Sequence, residues 1–119
     1  MSVRTRARGN VLLIQLQGPL VGGAVDTVRM YLVSTLARQV PPLMVVDIAG
    51  LTLMEEAGLE VLRSATRHAR NEGGRLVVTG GQHLLGTSTA GLDVMPTIRD
   101  AFFAPDGSGE SPPSLDRRE

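Results

Sequence analysis

Apolar and polar positions alternate from the start of the chain. Val3, Thr5 and Ala7 interleave with Arg4, Arg6 and Arg8, a period of two that predicts a strand with one wet face. Gly9-Asn10 marks a turn. Val11 to Gln17 then repeats the period, with Leu12, Ile14 and Leu16 on one face and Gln15 and Gln17 on the other. Together the two segments predict an amino-terminal hairpin. After Gly18-Pro19 and Gly22-Gly23 the period lengthens. Val25, Val28, Leu32 and Leu36 recur at helical spacing, and Asp26 sits in the first turn, where an acid is favoured, so a helix is expected from about Ala24 to Arg38. Pro41-Pro42 stop it. Leu43 to Asp47 is nearly continuous apolar sequence, as a strand buried on both faces requires, and is read as the central parallel strand.

A second helix is predicted over Glu56 to Arg70, where Leu59, Leu62, Ala65 and Ala69 form one stripe and Glu60, Arg63, Arg67 and Arg70 lie largely outside it. Asn71-Glu72-Gly73-Gly74 ends it, and Arg75 to Thr79 gives the next apolar strand. Gly80-Gly81 opens a less regular stretch. A short helix fits within Gln82 to Ala90, although Gly86, Thr87, Ser88 and Thr89 lower its propensity. Val94 to Ile98 is read as an edge strand, because Pro96 has no N–H to give to a ladder. This order predicts an α/β fold: a mixed sheet with an amino-terminal β-hairpin and three to four packed helices, its crossovers right-handed.

Length and composition then limit what such a fold can do. The chain of 119 residues fits one domain, expected over residues 1–103. From Pro105 onward the sequence PDGSGESPPSLDRRE holds a single Leu, too little apolar surface to offset the entropy of ordering it, so 104–119 is expected to be a disordered tail. Formal charge is zero overall, with ten Arg against eight acids up to residue 103 and two Arg against four acids beyond it. Neither part is charged enough for nucleic acid, and Tyr31, Phe102 and Phe103 are too few aromatics for a stacking platform. The absence of cysteine excludes a disulfide scaffold, a thiolate metal site and a cysteine nucleophile. Met1 to Asn10 lacks the apolar centre of a signal peptide, and no run approaches the roughly eighteen apolar residues of a membrane span. A cytoplasmic protein is expected.

Enzymatic readings find little support. His68 and His83 have no HxxxH spacing, so no metal site is expected. Ser64 and Ser88 lack a GxSxG context for a nucleophile. Gly73-Gly74 and Gly80-Gly81 form neither GxGxxG nor a GK[ST] ending, so no phosphate-binding loop and no cofactor is expected. Glu55 and Glu56 are adjacent carboxylates, but neighbouring residues at a helix start point in different directions, which argues against an acid/base pair.

The informative segment is Val45-Val46-Asp47-Ile48-Ala49-Gly50-Leu51-Thr52-Leu53-Met54-Glu55-Glu56-Ala57-Gly58-Leu59, where a buried strand leads through a short loop to a helix start. It resembles a STAS domain of the anti-sigma factor antagonist type. In that family a strand ending in Asp leads to a pattern like Phe-Met-Asp-Ser-Ser-Gly-Leu, which stands here as Leu53-Met54-Glu55-Glu56-Ala57-Gly58-Leu59. Gly73-Gly74-Arg75-Leu76-Val77-Val78 is similar to the family's helix exit and next strand, and Ala90-Gly91-Leu92-Asp93 to its Gly-Leu-Asp, so the likeness runs over roughly residues 3 to 103. The sequence departs from the family at Gly18-Pro19-Leu20-Val21, where Gly-Glu-Leu-Asp is usual, on the first partner-facing loop.

The resemblance implies partner switching. An unphosphorylated antagonist binds a kinase-type anti-sigma factor and frees the sigma factor, and phosphorylation of a motif Ser ends that binding. The phosphoacceptor-equivalent position here is Glu56, and the neighbouring Ser position is Ala57; neither has a hydroxyl. The expected function is therefore a non-enzymatic protein-binding module not switched at that point. Its docking surface is expected at Thr52, Met54, Glu55, Glu56, Ala57, Gly58, Leu59 and Leu62, with the turn at Gly18 to Gly23 beside it. Glu55 would make polar contacts, Gly58 allow close approach and Leu59 anchor the helix. A carboxylate at a helix start meets the same free amides and dipole as a phosphate would, with about one charge instead of nearly two. Glu56 thus has two readings, a mimic of the modified state and a plain stabiliser of the helix start. Thr52 offers an alternative hydroxyl. The kinase-type anti-sigma factor or a related regulator is the expected partner, and a homodimer is compatible with the sequence. The rival readings are a STAS-like scaffold subunit of a transporter-associated or stress-signalling complex, and a small-ligand module using the strand ends.

Overall fold

The computed structural model describes residues 1–38, 42–85 and 89–95. The first strand, β1 (Ser2–Arg8), turns at Gly9-Asn10 into β2 (Val11–Leu20), and the two pair antiparallel from Ser2 opposite Gln17 to Arg8 opposite Val11. Gly9 has φ +62, as a tight hairpin loop demands. The chain then follows α1 (Gly23–Arg38), β3 (Leu43–Met54), α2 (Glu56–Asn71), β4 (Arg75–Thr79), the short α3 (Gln82–Leu85) and β5 (Asp93–Met95). One sheet results, in the order β1-β2-β3-β4-β5, with every pair after the hairpin parallel. The mixed α/β sheet with its amino-terminal hairpin is as expected, β3 is central, and β5 lies at an edge. Residues 96–98, 86–88 and the expected tail at 104–119 fall outside the described residues.

Register explains the core. Ile14, Val46 and Val78 lie side by side across β2, β3 and β4, and all three are completely buried. Onto this face α1 places Val25, Val28, Leu32 and Leu36, and α2 places Leu59, Leu62, Ala65 and Ala69, all in one buried cluster. The helical stripes are those read from the sequence. The neighbouring row, Leu13, Val45 and Val77, is buried on the opposite face, as the continuous apolar run of β3 requires.

Two boundaries differ from expectation, and both concern the site. The second strand does not stop at Gln17 but continues through Gly18-Pro19 to Leu20, and β3 does not stop at Asp47 but continues through Met54. The segment 48–54, expected as a loop, is therefore strand. What makes this possible is two irregularities. Between Gln15/Asp47 and Gln17/Gly50, and again between Gly18/Leu51 and Pro19/Leu53, β3 takes up one residue more than β2. Bulges of this kind tolerate Gly and Pro and bend the strand that carries the extra residue. The Asp47 carboxylate sits at the first bulge. Its Oδ1 accepts from the Ala49 amide at 3.1 Å and the Thr79 hydroxyl at 3.4 Å, and its Oδ2 accepts from the Gln15 amide group at 3.3 Å. A single acid thus ties three strands where the register slips.

Candidate functional site

Because β2 and β3 pair as far as Leu20 and Met54, they leave the sheet together and deliver the two following turns to one place. The amide of Glu55 donates to the Leu20 carbonyl at 3.3 Å, and the Gly22 amide donates to Glu55 Oε1 at 2.8 Å. Gly22 has φ +57, while a Cβ there would meet nothing within 4 Å, so backbone conformation and not space calls for glycine. The turn at Val21-Gly22, all that remains of the turn expected over Gly18 to Gly23, and the start of α2 are stapled by one side chain.

Glu55 is the N-cap of α2, with extended φ −85 and ψ 169. Its carbonyl accepts from the amides of Gly58 and Leu59, at 2.9 and 3.2 Å. Its side chain makes no capping bond, since it is directed across to Gly22. Glu56 is the first helical residue, and its side chain is 81% exposed. It lies along the helix toward Arg63, whose Nη1 donates to Glu56 Oε2 at 3.3 Å and lies 3.7 Å from Glu60 Oε1. The two adjacent glutamates do point apart. Arg63 also donates from Nε to the Ala90 carbonyl at 2.9 Å, joining α2 to the turn that enters β5.

The expected site residues divide by burial. Thr52, Glu55, Glu56 and Ala57 are exposed and Met54 is half-buried, so these form a surface. Gly58, Leu59 and Leu62 are buried. They hold α2 in place and do not front that surface. At Gly58 the close approach is internal: a Cβ would stand 3.0 Å from Leu20 Cδ2 and Cγ and 3.2 Å from Met54 Cγ. Thr52 lies in β3, not in a loop.

Three residues of this region have roles that the sequence pattern does not give them. Leu53 is 56% exposed, an apolar side chain at the rim beside the helix start. Plain strand alternation would put Leu53 on the same face as buried Leu51; the bulge between Gly18/Leu51 and Pro19/Leu53 turns it outward instead. Gly22, in the turn expected beside the docking surface, and Arg63, outside the helical stripe, act through long-range contacts that no local pattern marks. His83 holds the β3 extension from the other side, with Nε2 at 2.9 Å from the Leu51 carbonyl. His68 is exposed on α2. Among the described residues no group of three or more His, Cys, Asp and Glu side chains is arranged to hold a metal ion, and no helix is long and apolar enough to cross a membrane.

A mixed sheet whose parallel strands β2 and β3 end in two stapled turns, with helices on one face, defines a small α/β module whose strand-end turns meet at the start of α2. The sequence profile of the STAS domain matches residues 2–85, and the chain belongs to the STAS domain family. Comparison with curated protein sequences finds no match. Among solved structures, the chain is similar to an anti-sigma factor antagonist from Mycobacterium paratuberculosis, with 19% identity, a TM-score of 0.70, and coverage of 87% of this chain and 92% of that one. It is similar to the Bacillus cell fate determinant SpoIIAA in its phosphorylated form, at 16% identity and TM-score 0.65, covering 85% and 96%. A variant of RsbS from Moorella thermoacetica in which a Ser is replaced by Glu aligns at 17% identity and TM-score 0.68, covering 86% and 92%. Identities this low speak for the fold.

Proposed function

We propose that this STAS domain is a non-enzymatic docking module of the anti-sigma factor antagonist type, and that it presents Thr52, Leu53, Met54, Glu55, Glu56 and Ala57 to a protein partner. The observation that carries this reading is the placement of Glu56. It is the first residue of α2, exposed, in the frame where antagonists of this family carry a phosphorylatable Ser, and it is held beside Arg63. A carboxylate there gives a permanent charge at the positive end of the helix, where a hydroxyl would have given a switchable one. The partner is a kinase-type anti-sigma factor or a related regulator, and the interaction is not ended by phosphorylation at Glu56.

The positional assignment is tested by presenting Glu56→Ser, with ATP, to kinase-type anti-sigma factors of the source cell. The variant is expected to take up phosphate on that Ser and the wild type none; a variant that stays unmodified with a kinase that binds it sinks the assignment. Binding of the unmodified proteins then separates the two roles of the charge. If Glu56→Ala binds more tightly than wild type, Glu56 imitates the modified state; equal affinity makes the wild type an antagonist that is simply never released.

A further inference from the structure

We propose a second interaction surface, away from the turn at Glu55: the outer edge of β1 is a docking strip for an extended protein segment that carries carboxylates at every second residue. Among the described residues the first strand ends the sheet, and its hairpin partner occupies only one side of its backbone. An unpaired strand edge offers a ready row of amide donors and carbonyl acceptors. Proteins blunt such an edge with a short strand, a Pro, a bulge or charged side chains, and of these β1 has only charge: it runs for 7 residues in unbroken register, contains no Pro, and is exposed at every position except Val3.

The side chains on this edge say what it accepts. Arg4 and Arg6 are exposed, and neither side chain has an ion-pair or hydrogen-bond partner among the described residues. Arg6 stands opposite Leu13, so the arginines occupy the sheet face opposite the one that Ile14 presents to α1 and α2. The chain's first acid is Asp26, so neither strand of the hairpin supplies a counter-charge. On the same face, Asp47 is already engaged by Gln15, Ala49 and Thr79.

Alternate residues of a strand are about 6.8 Å apart on one face, so an added strand with Glu or Asp at alternate positions brings each carboxylate opposite an arginine while its backbone completes the ladder. A second copy of the chain fits worse. If two β1 strands joined into one continuous sheet with their helices on the same side, arginines would lie directly opposite arginines, and like charges in that position destabilise a pair. Charge complementarity therefore selects an acidic segment.

The test uses the whole chain and a labelled synthetic peptide of β1's length alternating Glu with Thr or Val, with a control peptide of the same composition whose glutamates form one block. Fluorescence anisotropy is expected to show binding of the alternating peptide, weakened roughly fivefold to tenfold in Arg4→Gln/Arg6→Gln and largely retained in Arg4→Lys/Arg6→Lys. Both pairs of changes fall on exposed side chains, and circular dichroism verifies the fold. Slowed amide exchange across Ser2–Arg8 on peptide addition is the second supporting result, since simple charge attraction would not protect backbone amides. Equal affinity for the blocked peptide overturns the proposal, as does an unchanged affinity in the Gln variant. It is also overturned if the peptide fails to bind while anionic phosphatidylglycerol vesicles bind through Arg4 and Arg6, or while the chain self-associates through β1.

Discussion

The carboxylate of Glu55 accepts a hydrogen bond from the backbone amide of Gly22, 2.8 Å away and 33 residues earlier in the chain. Glu55 also caps α2 through its backbone, so one residue sets both the start of the helix and the position of the neighbouring turn. Replacing Glu55 by Ala should cost about 0.5 to 1 kcal/mol, the range for a solvent-accessible hydrogen bond, in urea unfolding. The local effect should be larger: exchange of the Gly22 amide is expected to speed up several-fold by NMR. Glu55→Asp is more telling. Asp is a better N-cap by side chain, but it is one methylene too short for the same reach, so helix stability should hold while Gly22 protection is lost. If Gly22 exchange is unchanged in both variants, the staple has no role in solution.

Gly58 separates helix propensity from packing. Ala is about 1 kcal/mol better than Gly inside a helix. Here a Cβ would press on Leu20, which is completely buried, and on Met54. Overpacking of this kind costs about 1 to 3 kcal/mol, so after the helix gain Gly58→Ala is expected to destabilise by up to about 2 kcal/mol. A shift of the urea midpoint to higher concentration would mean that Leu20 and Met54 give way freely.

Gly80 is held more tightly still. Its φ is +73, and a Cβ would stand 2.7 Å from Ala49 Cβ and 2.8 Å from Asp47 Oδ1. Backbone strain and overlap add, and Gly80→Ala should lose about 2 to 4 kcal/mol by chemical denaturation. Because the clash falls on the bulge that Asp47 ties, NMR shift changes should concentrate at Gln15, Asp47 and Ala49.

Arg63 connects the exposed Glu56 to the turn before β5. Its ion pairs are with exposed partners, so Arg63→Ala should cost no more than about 1 kcal/mol overall. What it should change is local order: exchange across Thr89 to Asp93 is expected to rise, with Ile14, Val46 and Val78 unaffected. A uniform rise across the sheet would instead mark Arg63 as part of global stability.

Much of this fold is written in local patterns. The stripe Leu59, Leu62, Ala65 and Ala69 and the run Leu43 to Asp47 are periodic features of side-chain chemistry, and they emerged as the buried face of α2 and the start of a central strand. The extension of β3 to Met54 was hidden because its alternation is broken by two bulges, and bulges belong to a pair of strands, not to one. Within the candidate site, Glu56 at the helix start was legible, as was the divergence of the two glutamates. The helical stripe also turns Leu59 and Leu62 inward, which sets them behind the docking surface expected of them and not on it.

By itself, then, the sequence determined the order of strands and helices, the cores of most of them, and the charge that stands at the start of α2. Each depends on propensity and period within a few residues. The tertiary structure alone decided that Glu55 reaches Gly22, that Arg63 reaches Ala90, and that Asp47 binds Gln15 and Thr79. Those contacts join residues far apart in the chain, and their geometry follows from parallel register, which no local pattern encodes.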